Sequence, residues 1–157
     1  MIIGSTFNFL PSFLDQYLIM EFNPFTNKFL FFGHRGAPHF APENTLISFK
    51  NAIDMGVDGI ELDVISTLDE KIVIHHDVDF LKLTGKPTKL SSMVYDEIKK
   101  IDVSRKWNSE FGFQKIPLLS EIVELLDSNQ IILNIEINLK SFSILYSYTI
   151  PSSTISP

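Results

Sequence analysis

Glu61 and Asp63 stand two residues apart in the stretch Gly59–Val64, GIELDV. On an extended strand alternate side chains share a face, so these carboxylates point one way while Ile60, Leu62 and Val64 point the other. Like charges side by side on a strand repel, and they make poor structural residues unless a cation or a basic group lies between them. The stretch Ile131–Ile137, IILNIEI, repeats the pattern: Leu133, Ile135 and Ile137 share one face, and Asn134, Glu136 and Asn138 the other. If the apolar faces meet outer helices, the polar faces converge and Glu61, Asp63 and Glu136 form a three-carboxylate cluster. Hard oxygen ligands of this kind suit Mg²⁺, Ca²⁺ or Mn²⁺. The plainer alternative pairs these acids with Arg35, Lys71 or solvent. Three acids on inward faces tip the balance toward a bound cation, because buried unpaired charge is costly.

Two further stretches carry groups able to move protons. In FFGHRGAPHFAPENT, from Phe31 to Thr45, an apolar run breaks abruptly into His34 and Arg35. In IVIHHD, His75, His76 and Asp77 follow a short apolar run. In a parallel sheet with helical crossovers, strand ends of one sense lie on one rim, which would gather these histidines beside the acids. Alternation puts His76 on the face of Ile72 and Ile74 and His75 on the other, and the choice between them stays open on this ground. A divalent cation beside Arg35 would stabilise a phosphoryl group. Two histidines, with ordinary pKa values near about 6.5, could share proton removal from the nucleophile and proton delivery to the leaving oxygen. This is equipment for phosphodiester cleavage, and it also suits other metal-assisted hydrolysis.

The elements that must position these residues follow from periodicity. Phe29 to Gly33 reads as a buried strand. Thr45 to Met55 reads as a helix, with Leu46, Phe49, Ala52 and Ile53 at three- and four-residue spacing, Asn44 or Thr45 as its N-cap and Gly56 as its terminator. Gly59–Ile65, Lys71–His75 and Ile131–Ile137 read as strands, and Leu118–Leu126 as a helix opened by Ser120. Val78 to Pro117 is less regular, with Ser92–Ile101 its best helix. Four strands separated mainly by helical crossovers imply an α/β fold with a parallel sheet and helices packed outside it.

Composition narrows the function further. The 157 residues, 45% hydrophobic with 14 Phe, suffice for one core. The net charge of -6 and the scattered basic residues give no general attraction to nucleic acid, which is not expected as a partner. Cysteine is absent, so disulfides and thiolate metal sites are excluded and His, Asp and Glu remain as ligands. The apolar opening, MIIGSTFNFLPSFLDQYLI, lacks the basic flank and cleavage site of a secretory signal. Pro11, Asp15 and Gln16 interrupt it short of the roughly 20 apolar residues of a membrane span. Residues 1–28 therefore read as an extension with no transmembrane span, Met20 as an alternative start, and the cytoplasm as the expected compartment.

The motifs, taken in order, resemble those of the glycerophosphodiester phosphodiesterases. They are His34-Arg35-Gly36, Pro42-Glu43-Asn44-Thr45, Glu61-Leu62-Asp63, His76-Asp77 and Ile135-Glu136-Ile137, joined by Thr84-Gly85 and by Ile116-Pro117-Leu118-Leu119-Ser120-Glu121. The resemblance runs from about Phe31 to Lys140. It implies a (β/α)₈ TIM-type barrel that hydrolyses a small-molecule glycerophosphodiester to an alcohol and glycerol 3-phosphate. It further implies a divalent metal ion, Mg or Ca, on Glu61, Asp63 and Glu136, an acid/base pair of His34 and His76, and Arg35 on the phosphate. Glu43 and Asp77 take supporting roles. The choice between His75 and His76 falls to His76 on the resemblance alone.

Two positions depart from the pattern. Asn138 stands where the family usually has a phosphate-holding Lys, with Lys140 further along the same face, and Lys82 stands where an Arg is common. Losing a fixed positive charge at a phosphate weakens catalysis. A (β/α)₈ barrel typically needs about 250 residues, so residues 29–140 read as its first half, four parallel strands with outer helices, in a truncated chain. Such a half-barrel would expose the sides of its first and fourth strands and could self-associate through those open edges. Residues 141–157 hold no acid or base and read as a poorly structured tail. The competing expectation is a catalytically inactive remnant that at most binds metal or phosphate.

Overall fold

Alternating apolar and acidic residues make Gly59–Ser66 a strand that must be covered on both faces, and it is the centre of the sheet. A computed structural model describes residues 18–23, 27–107, 110–127, 131–139 and 142–149. Along the chain come β1 (Leu18–Asn23), β2 (Lys28–His34), α1 (Leu46–Asp54), β3 (Gly59–Ser66), β4 (Ile72–Ile74), α2 (Leu81–Thr84), α3 (Tyr95–Ile98), α4 (Leu119–Asp127), β5 (Ile132–Leu139) and β6 (Phe142–Thr149). The strands form one mixed sheet in the order β1-β2-β3-β5-β6, with β4 attached to β3 off this path. The inner strands β2, β3 and β5 are parallel, with His34 opposite Glu61 and Asp63 opposite Glu136.

The outward apolar residues form the core. Ile60, Leu62 and Val64 of β3 pack with Leu133 of β5, Phe49 of α1 and Ile122 and Leu126 of α4. Both long helices thus press on the face that carries no acid. Thr45 caps α1, its side chain accepting from the Ser48 N–H, and Gly56 follows the helix at φ 83°. At α4 the Glu121 carboxylate reaches back to the Leu118 N–H, 2.9 Å away, as in a capping box. A second core of Val73, Phe80, Leu90, Ile98 and Ile116 lies beneath the irregular segment.

Four expectations are corrected. The strand expected over Lys71–His75 is antiparallel to β3, not parallel: Val64 pairs with Ile74 and Ser66 with Ile72. Only residues 67–71 connect the two strands, far short of the dozen or more residues a parallel crossover needs. Thr67 closes this turn, its N–H donating to the Lys71 carbonyl and its hydroxyl accepting from the Lys71 N–H. The sheet is therefore not four parallel strands. Second, the sides of β2 and β5 are not open. β1 pairs antiparallel with β2, and β6 pairs antiparallel with β5 over its whole length. An uncovered strand side is a template for pairing, and neighbouring chain satisfies it here. Third, β1 falls within the expected extension and β6 within the expected tail. The aromatic and β-branched residues over 142–149, Phe142, Ile144, Tyr146, Tyr148 and Thr149, suit a strand. Residues 1–17 and 24–26 of the extension, and 141 and 150–157 of the tail, lie outside the described residues. Fourth, the helix expected over Ser92–Ile101 shrinks to a 3₁₀ turn at Leu90–Ser92 and the four residues of α3. Among the described residues no helix is long and apolar enough to cross a membrane.

The turn from β2 into α1 depends on Gly36, at φ 89° against the backbone of α1. A Cβ there would lie 2.7 Å from the Ser48 carbonyl carbon. Gly36→Ala is expected to destabilise the protein by about 2 kcal/mol or more, read as a lower urea midpoint with an unchanged slope. Unaltered stability would show that this packing is not felt.

Candidate active site

At the end of β2 the chain turns sharply, and the turn is built around Glu61. The Arg35 N–H donates both to the Glu61 carbonyl (3.0 Å) and to its Oε2 (3.1 Å). Arg35 adopts φ 56°, a left-handed conformation unusual for a side chain of this bulk. Its carbonyl accepts from the Asn44 N–H and from the Ser48 hydroxyl, which ties the turn to the start of α1. The guanidinium is thereby held over the acids: Nη1 donates to Glu43 Oε1 at 3.3 Å. Nε lies 3.3 Å from Asp63 Oδ2, an ion pair whose geometry makes no hydrogen bond. His34, the last residue of β2, places Nε2 3.7 Å from Glu61 Oε2.

The three carboxylates expected to converge do so. Glu61, Asp63 and Glu136 each offer an oxygen, all within 4.8 Å of one another. Glu61 and Asp63 are buried, at 2% and 3% exposure. Burial, and then the charges of Asp63 and Glu136, push the Glu61 carboxyl up from an ordinary 4.5 to about 8, against the opposing Arg35 N–H and guanidinium. The plainer alternative is thus realised in part, since Arg35 does meet Asp63, but one guanidinium faces three carboxylates. Lys71 is exposed and makes no ion pair with these acids. Asn44 was missed as a site residue because its place beside Thr45 read as helix capping. Its Nδ2 donates to Asp63 Oδ2 at 3.1 Å, while Oδ1 is buried without a partner. A polar oxygen orphaned next to three carboxylates is a further donor suited to a hard cation.

The remaining histidines arrive by a route not expected. A parallel β4 would have put its end on the same rim as β2, whereas the antiparallel β4 runs back along β3 until the His75 N–H donates to the Asp63 carbonyl at 3.0 Å. The His75 ring lies against Phe80, centroids 5.7 Å apart; burial holds its pKa below the ordinary value, and Nε2 has no hydrogen-bond partner. His76 is more open and has Nδ1 3.0 Å from Asp77 Oδ1, while Lys82 Nζ lies 2.9 Å from Asp77 Oδ2. Burial acts to raise the Asp77 carboxyl, but hydrogen bonds from Lys82 and His76 leave it below the usual range. The site therefore has two groups. One joins Glu61, Asp63, Glu136, His34, Arg35, Glu43 and Asn44; the other joins His76, Asp77 and Lys82. A cavity of about 350 Å³ is lined by Arg35, Glu43 and Asn44 of the first group and by Asp77 and Lys82 of the second. The three acids do not line it, and it reaches them through Arg35 and Asn44, both of which touch Asp63. Lys140 lies outside the described residues.

A sequence model described as the glycerophosphoryl diester phosphodiesterase family matches residues 34–149. A glycerophosphodiester phosphodiesterase of Caldanaerobacter subterraneus subsp. tengcongensis is 40% identical over 119 residues, 76% of this chain and 48% of the relative. One from Bacillus altitudinis is 38% identical over 68% of this chain and 44% of its own length. Among solved structures, a glycerophosphodiester phosphodiesterase from Agrobacterium tumefaciens superposes with a TM-score of 0.63 at 31% identity, covering 68% of this chain and 46% of the other. A phosphodiesterase of Oleispira antarctica, solved with the product sn-glycerol-3-phosphate, gives 0.63 at 32% identity over 68% and 43%. The chain spans about half the length of the curated relatives it matches. With its motifs in this order and the match running from His34 through β6, the chain belongs to the glycerophosphoryl diester phosphodiesterase family.

Proposed function

We propose that this chain carries the catalytic half of a metal-dependent phosphodiesterase that cleaves glycerophosphodiesters to an alcohol and glycerol 3-phosphate. The observation that carries the reading is the carboxylate triad of buried Glu61 and Asp63 and half-buried Glu136, with ligand oxygens within 4.8 Å of one another. Its donor set suits Mg²⁺ or Ca²⁺: all oxygen, three carboxylates to offset a double charge, and the orphaned Asn44 Oδ1 alongside. A bound divalent ion would supply electrostatic stabilisation to a phosphoryl oxygen.

Each of the chain's own groups then has a distinct task. Arg35, aimed by its turn, meets the phosphate and offsets the charge that builds on it. His34 and His76 divide the proton transfers, one removing a proton from the attacking water and the other delivering a proton to the departing alcohol oxygen. Asp77 accepts from the Nδ1–H of His76 and so presents Nε2 of that ring to substrate, and Lys82 keeps Asp77 ionised. Glu43 holds Arg35 in place. The phosphorus–oxygen bond to the headgroup alcohol breaks while a bond to the attacking oxygen forms.

A second reading, a chain that binds the ion or phosphate without turnover, is favoured by Asn138 and Lys82 at positions where the family usually carries Lys and Arg. Release of glycerol 3-phosphate from a glycerophosphodiester in the presence of Mg²⁺ or Ca²⁺ separates the two. On the catalytic reading, His34→Ala and His76→Ala each lower kcat by about 10²- to 10⁴-fold with the fold intact. A chain that melts higher with the ion but releases nothing fits the second reading.

The raised Glu61 carboxyl gives a further test. Without metal the folded chain binds this proton more tightly than the unfolded chain does. The associated stability is full below pH 4.5 and lost as pH rises through about 8. A cation that takes the proton's place removes this loss. Thermal melts with and without Mg²⁺ or Ca²⁺ should show a larger metal-induced rise at pH 8 than at pH 5, and Glu61→Gln should shrink it at pH 8. An ion effect that is the same at both pH values and in Glu61→Gln would place the cation elsewhere.

A further inference from the structure

The cavity that Arg35 and Asn44 line is also lined by Lys106 and Trp107. The indole is half-buried and meets the Phe111 ring edge-on, centroids 5.2 Å apart. An aromatic face in a cavity attracts a quaternary ammonium group through its quadrupole. Charge on the same wall decides whether that attraction wins. Arg35 is engaged with Glu43 and Asp63, and Lys82 with Asp77, so the cavity's two acids, Glu43 and Asp77, already face cations. Lys106 stands on an exposed turn next to the indole and makes no ion pair among the described residues. Of the charged residues that line the cavity, Arg35, Lys82 and Lys106 against Glu43 and Asp77, Lys106 is the cation with no ion-pair partner among the described residues, and at short range in a partly enclosed space it repels a second cation.

We propose that Lys106 makes this cavity a headgroup subsite that accepts uncharged polyol headgroups, such as glycerol or inositol, and turns away quaternary ammonium headgroups. The inference rests on the phosphodiesterase reading, because it takes the cavity to hold one arm of the bound diester. A polyol meets each feature of the wall: its hydroxyls accept from Lys106 and donate to the carboxylates, and its carbon face lies on the indole. At about 350 Å³ the cavity is of small-ligand size.

Trp107 is the only tryptophan of the chain, so its fluorescence reports on the subsite directly. The full chain, in Mg²⁺, is titrated with glycerophosphoinositol and with glycerophosphocholine while released glycerol 3-phosphate is followed in parallel. The inositol diester is expected to half-saturate the fluorescence change at a concentration about fivefold or more below the choline diester. That gap should narrow as salt rises from about 0.01 M to 1 M, because the Debye length falls from about 30 Å to about 3 Å. Lys106→Gln should reduce the gap and Lys106→Glu should reverse it; both changes sit on an exposed turn. Equal binding of the two diesters, or a gap unchanged in Lys106→Glu, overturns the proposal. If glycerol 3-phosphate is released from both diesters without preference, the headgroup inference fails alone. If neither diester moves the fluorescence nor is cleaved, the phosphodiesterase reading fails with it.

Discussion

Holding three carboxylates together on the sheltered side of two hydrogen-bonded strands is the constraint from which the rest of this structure follows. Each ion removed from water costs energy, and their mutual repulsion adds to that cost. The apolar side of the same strands resists the separation. Ile60, Leu62 and Leu133 are buried at 0%, 0% and 3% exposure against α1 and α4. A slip of one residue between β3 and β5 would drive that apolar set to the acid side and scatter the carboxylates. The register that sets Asp63 opposite Glu136 is thus fixed by hydrophobic packing on the far face, and the site inherits it. The repulsion persists in the folded chain, and the raised Glu61 carboxyl is its measure.

The same constraint explains the shape of the first turn. A strand ending beside two buried acids needs donors there, and backbone N–H groups are the donors that bring no further side chain. Arg35 supplies one from its main chain and places its guanidinium over Asp63 and Glu43, which requires the left-handed conformation at φ 56°. Asn44 takes a matching φ of 56° and spends its amide on Asp63, leaving helix capping to Thr45. Strain of this kind persists only where surrounding contacts over-determine it. Here Ser48 does so, accepting from Ala37 and donating to the Arg35 carbonyl.

What could be read in the sequence divides along physical lines. GIELDV and IILNIEI were legible because a period of two on a half-apolar strand assigns faces without ambiguity, and α1 because its apolar spacing is helical. Convergence of the three acids followed from those faces. Strand direction was not legible from periodicity, which is blind to orientation; it lay in the length of the link over 67–71. The role of Asn44 was hidden because its partner, Asp63, is nineteen positions away and only the fold brings them together. β1 and β6 escaped notice for another reason. Their apolar residues alternate weakly, and what makes them strands is the open side of β2 and β5, a property of the assembled sheet.

The reversal of β4 matters most for the second group of residues. A parallel β4 would carry its histidines to the rim where β2 ends, with no backbone bond tying them to the strand that holds the acids. The antiparallel strand instead pairs with β3 only beyond Val64 and then descends, so that one bond, from the His75 N–H to the Asp63 carbonyl, fixes the height of the following residues. His76 and Asp77 are thereby referenced to the same strand that holds Glu61 and Asp63. Two groups with separate origins in the chain share a single ruler, β3. Expecting all strand ends on one rim led to the right neighbourhood by the wrong geometry. The overhang of β3 past its partners, not common strand direction, brings the second pair of histidines to the site.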